Sequence, residues 1–364
     1  MKIAQVAPLY ESVPPKYYGG TERVVSYLTE ALVHQGHDVT LFASGDSVTQ
    51  ARLVPVCPSS LRLDTRCIDP HAHHVCAIEM VFRNAEAFDV LHFHIDYFHF
   101  SLSRRHAVPT VTTLHGRLDI PDLMPLYREF PEMPVVSISD SQRAPLSWIN
   151  WRATVHHGLP VDLYPFYAGP GKYLAYIGRI SPEKGVDRAI EIARRAGIKL
   201  IIAAKVDPAD REYFATVIKP MLKSRYVDYV GEIGEAEKGE FLGNALALLF
   251  PINWPEPFGL SMIEAMACGT PVIAYRNGSV PEVIEQGVTG LIVEDINAAV
   301  RAVEQVGSLS RLSCQQEFKR RFTADRMARN YHAVYRRLPS ATGLPIMDSA
   351  LPQITEEALP SGSH

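Results

Sequence analysis

The chain has 364 residues, too many for one ordinary core, which favours two domains of about 150 to 200 residues each. Its 47% hydrophobic and 21% charged residues are those of a globular chain, and a formal net charge of −4 gives no general field for nucleic acid or an anionic membrane, so an anionic ligand must be held locally. The odd number of cysteines without paired spacing, the absence of a signal-peptide pattern at Met1 and the lack of an apolar run of roughly 20 residues point to a cytoplasmic protein with reduced thiols.

Apolar runs of strand length alternate with segments of helical period, the pattern of a parallel α/β architecture, and the pattern occurs twice. In the first half, strands are expected at Lys2 to Ala7, Asp38 to Ala43, Asp89 to His92, Pro109 to Thr113 and Pro134 to Ser139, with helices near Thr21 to Gln35 and Val75 to Phe88. In the second half they are expected at Lys172 to Gly178, Lys199 to Ala204, Val227 to Gly231, Leu246 to Phe250, Pro271 to Tyr275 and Gly290 to Val293. Gly158 to Pro165, followed by Ala168 to Gly171, is too rich in Pro and Gly to lie inside an element and reads as the linker. The expected division is an N-terminal Rossmann-like domain over 1–165, a second over 166–322, a helix over about 323–338 that packs back on the first domain, and a disordered tail over 339–364. Two such domains enclose a cleft, and ligands collect at the carboxyl ends of parallel strands.

The first strand leads to Gly19 and Gly20 before a helix, where free N–H groups and the helix dipole favour an anion, although an ordinary loop with Thr21 as N-cap has the same pattern. The motif differs from the GxGxxG of nicotinamide or flavin binding, and no such cofactor is expected. In the second domain Arg179 and Lys184 stand just past a strand end, where they can neutralise a diphosphate or simply form a solvated charge cluster. The richest stretch runs from Asn253 to Ala274: Glu256 stands in a loop above a strand end, a helix begins around Gly259, and Glu264 lies two turns down on the face of Leu260, where a carboxylate can receive two ribose hydroxyls.

Glu256 to Glu264, with seven residues between, resembles the E-x7-E motif of retaining glycosyltransferases of family 4, whose fold is called GT-B. The resemblance extends from Lys2 to about Leu338 through Gly19-Gly20, His115-Gly116, Gly178-Arg179 with Lys184, and Gly278-Ser279-Val280-Pro281-Glu282 with Gly287 to Gly290. It implies a nucleotide-sugar donor on the second domain and a small-molecule acceptor on the first. Arg179 and Lys184 would neutralise the leaving diphosphate, Glu256 would contact the donor sugar, Glu264 would bind the ribose, and amides around Phe258, Gly259 and Leu260 would reach the phosphates. His115 would contact the donor hexose, or be a structural imidazole. No Asp-x-Asp pair suited to Mg²⁺ or Mn²⁺ is present, so no metal is expected, and no carboxylate is placed as a covalent nucleophile, which favours front-face retention.

His71, His73, His74 and Cys76 cluster in what reads as a loop without a second group at ligand spacing. His92, His94 and Asp96 alternate at a strand end, and with Tyr18 the last two are the expected acceptor contacts. Residues 11–23 and 42–47 resemble a bacterial subgroup described as UDP-glucose:tetrahydrobiopterin glucosyltransferases, which implies glucose as the sugar and a pterin as one acceptor. A sugar-nucleotide 2-epimerase, a phosphorylase, or a silent nucleotide-sugar binder are the alternatives on the same fold.

Overall fold

The computed structural model describes residues 1–16 and 19–339, so Tyr18 and residues 340–364 of the expected tail lie outside the described residues. The first domain holds seven strands, β1 (Lys2–Val6), β2 (Asp38–Ser44), β3 (Arg52–Cys57), β4 (Val90–Phe93), β5 (Thr110–Thr113), β6 (Val135–Ser137) and β7 (Trp151–Thr154), in the order β3-β2-β1-β4-β5-β6-β7. The second holds six, β8 (Tyr173–Arg179), β9 (Leu200–Lys205), β10 (Val227–Gly231), β11 (Ala245–Phe250), β12 (Val272–Tyr275) and β13 (Gly290–Val293), in the order β10-β9-β8-β11-β12-β13. Every pairing within these sheets is parallel. These are the two doubly wound sheets of a GT-B fold, with each switch point beside its first strand.

Central strands such as β11 and β12 are buried on both faces, so they read as continuous apolar runs and not as alternations. The Gly20–His34 helix lays Val24, Leu28 and Leu32 against Ile3, Val39 and Val90, burying apolar side chains worth about 1.5–3 kcal/mol each. β3 and β7 escaped the pattern because they are sheet edges: β3 carries Pro55, tolerated where one side of the strand has no partner, and β7 is half-exposed and interrupted by Arg152. The second helix also differs from expectation. It spans Pro70–Arg83, five residues earlier than expected, because Asp69 caps it by accepting from the His71 N–H and Pro70 suits its first turn. The histidine cluster is therefore helical, and His74 is engaged at both nitrogens, with the Leu9 N–H at 3.2 Å and the Pro70 carbonyl at 2.8 Å. Among the described residues no group of three or more His, Cys, Asp or Glu could hold a metal ion, and no helix is long and apolar enough to cross a membrane.

The chain crosses between the sheets twice, and the crossings are joined. The Leu159 N–H donates to Phe322 O at 2.9 Å and the Ala324 N–H to Leu159 O at 2.7 Å. Beyond them the Ala324–Tyr335 helix lies on the first domain, with Tyr331 and Tyr335 fully buried.

Candidate functional site

Between the domains lies a cleft of about 640 Å³, reached by the carboxyl ends of β1, β4, β5, β8 and β11. Gly19, Gly20, His94, Asp96, His115, Arg179, Lys184, Glu256, Phe258, Gly259, Leu260 and Glu264 all line it, so the expected donor and acceptor contacts that the structure describes share one space, while His92 does not line it. The two helix starts face each other across it: a Cβ on Gly20 would lie 3.8 Å from the Leu260 side chain.

On the donor side, Lys184 ends a short turn after β8 and pairs with Glu256 Oε2 from the loop after β11. The Trp254 indole N–H donates to the same oxygen at 2.8 Å, and Lys184 Nζ stands 4.7 Å over the Trp254 ring. Both donors use Oε2, and no described residue is seen donating a hydrogen bond to Oε1. The Asn253 N–H donates to Glu183 O at 2.8 Å, which ties the two loops together.

The Gly278-Ser279 motif buttresses Glu256. A Cβ on Gly278 would fall 2.3 Å from both the N and the O of Glu256, and its φ of 55° is in the left-handed region. Ser279 N donates to Glu256 O at 3.0 Å and Ser279 Oγ to Phe258 O at 2.7 Å. Gly259, at φ 80°, then turns the chain into the Leu260–Ala267 helix, whose free N–H groups and dipole point into the cleft.

Arg179 is surrounded by acids, with Glu183 at 2.5 Å, Asp210 at 3.5 Å and Asp207 at 3.7 Å. Glu264 is 3% exposed, and its Oε1 is met by Lys238 Nζ at 2.9 Å. Lys238 also lies 3.4 Å from Glu235, which pairs in turn with Arg23 of the first domain and accepts from the Tyr164 hydroxyl of the linker. This network crosses the cleft at its base.

The first domain contributes a chain of buried polar groups. Gln5 Oε1 accepts from His94 Nε2 at 2.7 Å, so the neutral His94 presents Nδ1 as an acceptor to His115 Nε2, 2.9 Å away. Gln5 Nε2 reaches the Tyr335 hydroxyl at 3.2 Å; Tyr335 meets His92 Nδ1 at 2.8 Å, and His92 Nε2 meets Thr113 Oγ1 at 2.7 Å. Burial, then neighbouring imidazoles, pushes His92 and His94 well below the ordinary histidine range, and burial lowers His115 to about 3. All three are neutral near pH 7. His94, expected to touch the acceptor, therefore has both nitrogens engaged within the protein, one of them with His115. His115 Nδ1 is buried without a partner, beside His157, whose ring stacks at 5.3 Å and packs against Phe258 at 4.9 Å.

Asp96 stands at the end of the first-domain wall in a left-handed conformation, φ 51°. It lines the cleft as an exposed residue, and the protein around its carboxyl partly desolvates it and raises its pKa to about 6. Sequence reasoning missed Lys238, Trp254, His157, Gln5 and Tyr335. Trp254, inside the Asn-Trp-Pro-Glu-Pro-Phe-Gly run, was the one with a local signal.

A family model described as Glycosyltransferase Family 4 matches residues 18–157, and one described as Glycosyl transferases group 1 matches residues 168–322. Over 97% of the chain and 100% of its relative, the protein is 26% identical to "Glycogen synthase" of Mycobacterium tuberculosis. Among solved structures it resembles AviGT4, a glycosyltransferase involved in avilamycin A biosynthesis, with a TM-score of 0.71 at 24% identity over 93% of this chain and 97% of that one. It also resembles HepE of Anabaena in complex with UDP and glucose, with a TM-score of 0.69 at 17% identity over 93% and 100%. The first half of the chain is thus a glycosyltransferase family 4 domain and the second a glycosyl transferases group 1 domain, and together they make the protein a glycosyltransferase of the GT-B fold.

Proposed function

We propose that this protein is a retaining hexosyltransferase that moves glucose from UDP-glucose to a small hydroxylated acceptor, with a pterin as one candidate. The observation that carries this reading is the convergence of Lys184, Glu256 and Glu264 at one end of the cleft, beside the N-terminus of the Leu260–Ala267 helix. Glu264 offers a buried carboxylate for two ribose hydroxyls, Glu256 has an oxygen for the donor sugar, and the helix N–H groups with Arg179 and Lys184 receive the diphosphate. HepE, crystallised with UDP and glucose, supports the choice of donor.

In this mechanism the bond between the sugar C1 and the diphosphate oxygen breaks, and its electron pair goes to that oxygen. Lys184, Arg179 and the backbone N–H groups stabilise the added negative charge, work for which no metal is needed in this proposal. The acceptor hydroxyl attacks C1 from the same face, and its proton passes to the departing phosphate oxygen. Glu256 stabilises positive charge on the ring in this reading. The His115 imidazole, neutral with Nδ1 as a lone-pair acceptor, can take a hydrogen bond from a hexose hydroxyl.

Thermal unfolding with UDP, GDP, ADP and their sugars tests the reading. A ligand at 100 times its Kd adds about 2.7 kcal/mol, and UDP and UDP-glucose should give the largest shift. Protein that binds none of these, or a Glu264→Ala variant with unchanged turnover, would reject it.

A further inference from the structure

The cleft is electrically lopsided. Each cation that lines it already faces a carboxylate: Arg179 and Lys184 as described, Lys238 with Glu264, and Arg23 with Glu235. At the acceptor end the cation is Arg62, whose Nη1 is held 3.0 Å from the buried Glu11. The carboxylates there are not matched in the same way. Asp96 has no hydrogen bond or ion pair with a described residue, and Glu22, 5% exposed at the start of the Gly20–His34 helix, has no ion pair with one. Asp96 keeps the left-handed backbone that a non-glycine residue rarely adopts, and it lines the cleft.

The wall beside these carboxylates is aromatic. Tyr10 and His74 lie with ring centroids 5.0 Å apart, His74 and Phe98 5.9 Å apart, and Phe98 remains 39% exposed. His74 adds no charge, because burial lowers its pKa and both nitrogens are already engaged. At 2% exposure its ring is packed against Tyr10 and Phe98, which leaves Phe98 as the exposed ring face. Ring faces of this kind stack on flat rings and on the C–H faces of sugars.

Resting on the glycosyltransferase reading above, we infer that the acceptor end of the cleft takes a ring-bearing alcohol that is uncharged or cationic and selects against phosphorylated acceptors. Asp96 and Glu22 accept hydrogen bonds from hydroxyl or ammonium groups, Phe98 stacks against the ring, and a phosphate placed there meets two carboxylates, while Arg62, the cation at that end among the described residues, is already paired with Glu11. The donor diphosphate lies at the other end, where the free N–H groups at the start of the Leu260–Ala267 helix line the cleft beside Lys184 and Arg179.

The test uses a matched pair, phenyl β-D-glucoside and its 6-phosphate, with UDP-glucose as donor and UDP release as the readout. The neutral glucoside should have a kcat/KM at least 10-fold higher than the phosphate. Asp96→Asn, which keeps the shape and tolerates the left-handed backbone, should narrow that ratio at least 3-fold. Phe98→Ala should reduce the preference for phenyl over methyl β-D-glucoside about 5-fold. Equal or better use of the phosphate, a ratio unmoved by Asp96→Asn, or no transfer to either glucoside while UDP-glucose is still hydrolysed would overturn the inference. Failure of UDP to raise the unfolding temperature is a separate result: it removes the glycosyltransferase reading, and this inference with it.

Discussion

Lys238 Nζ lies 2.9 Å from Glu264 Oε1, so the carboxylate proposed to bind the ribose is held by a lysine from another helix, Glu235–Gly243. Both side chains are largely buried. An uncompensated carboxylate in that position would be costly and free to turn away from the cleft.

Replacing Lys238 by Met is accordingly expected to raise the KM for the donor roughly 10-fold, the effect of losing one charge-assisted hydrogen bond of about 1.5–3 kcal/mol, with a smaller change in kcat. Lys238→Arg should restore most of the affinity. Initial rates at varied donor concentration, with calorimetric UDP binding, check both variants. A donor KM unchanged in Lys238→Met would mean that Glu264 does not depend on its partner.

Gly278 supports the other glutamate by leaving room. An added methyl would fall 2.3 Å from the Glu256 backbone on both sides, at a φ of 55° that disfavours any side chain. Gly278→Ala should destabilise the protein by about 1–3 kcal/mol and, because the strain falls on the Glu256 loop, lower kcat/KM by 10-fold or more. Circular dichroism melts and donor kinetics on the same preparation separate the two effects. Wild-type kcat/KM in a folded Gly278→Ala protein would show that the loop tolerates displacement.

These supports also mark the boundary of what the sequence revealed. Buried parallel strands are continuous apolar runs, and Glu256, Glu264, Arg179 and Lys184 sit in loops punctuated by Gly and Pro, so the sheets and the cleft-facing charges were legible. The edges β3 and β7 were not, since an edge strand needs no uninterrupted apolar pattern. Lys238 is one lysine in the charged segment Glu235-Ala236-Glu237-Lys238, identical in pattern to a solvated helix face until the fold sets it against Glu264. Gln5 and Tyr335 are 330 residues apart, and their hydrogen bond exists only because the last described helix returns to the first sheet.

That long-range contact has a measurable consequence at His115. Burial lowers its pKa to about 3, and the Gln5–His94 pair directs its Nε2–H away from the cleft. His92, His94 and His115 should remain neutral from pH 5 to 8, with nitrogen NMR shifts that do not titrate and a protonated Nε2 on His115. Gln5→Leu leaves His94 Nε2 without its acceptor, a loss of about 1–3 kcal/mol of stability, and should shift His115 toward a mixture of tautomers while lowering kcat about 10-fold. A single Nε2-protonated His115 in Gln5→Leu would show that the tautomer is set by something other than this chain of bonds.

Glu282, from the motif that follows Ser279, makes a contact between the domains whose strength should follow pH. Its carboxylate accepts from the N–H groups of Asp140 and Ser141 in the first domain, both at 2.7 Å, and meets His156 Nε2 at 3.3 Å. Burial alone would raise its pKa, but the His156 ring and the two N–H groups outweigh that and hold it below the ordinary glutamate value. A carboxyl group with a depressed folded pKa contributes stability that is fully present above its unfolded value of about 4.3 and is lost as the pH falls through the lower folded value. Glu282→Gln keeps the shape but not the charge. It should destabilise the protein by about 2 kcal/mol at pH 7, in line with hydrogen bonds to a charged group, and converge on the wild type as the pH approaches 3. Denaturant melts of both proteins at several pH values test this, and a stability difference that does not change between pH 7 and pH 3 would mean that the ionised carboxylate contributes nothing to the contact.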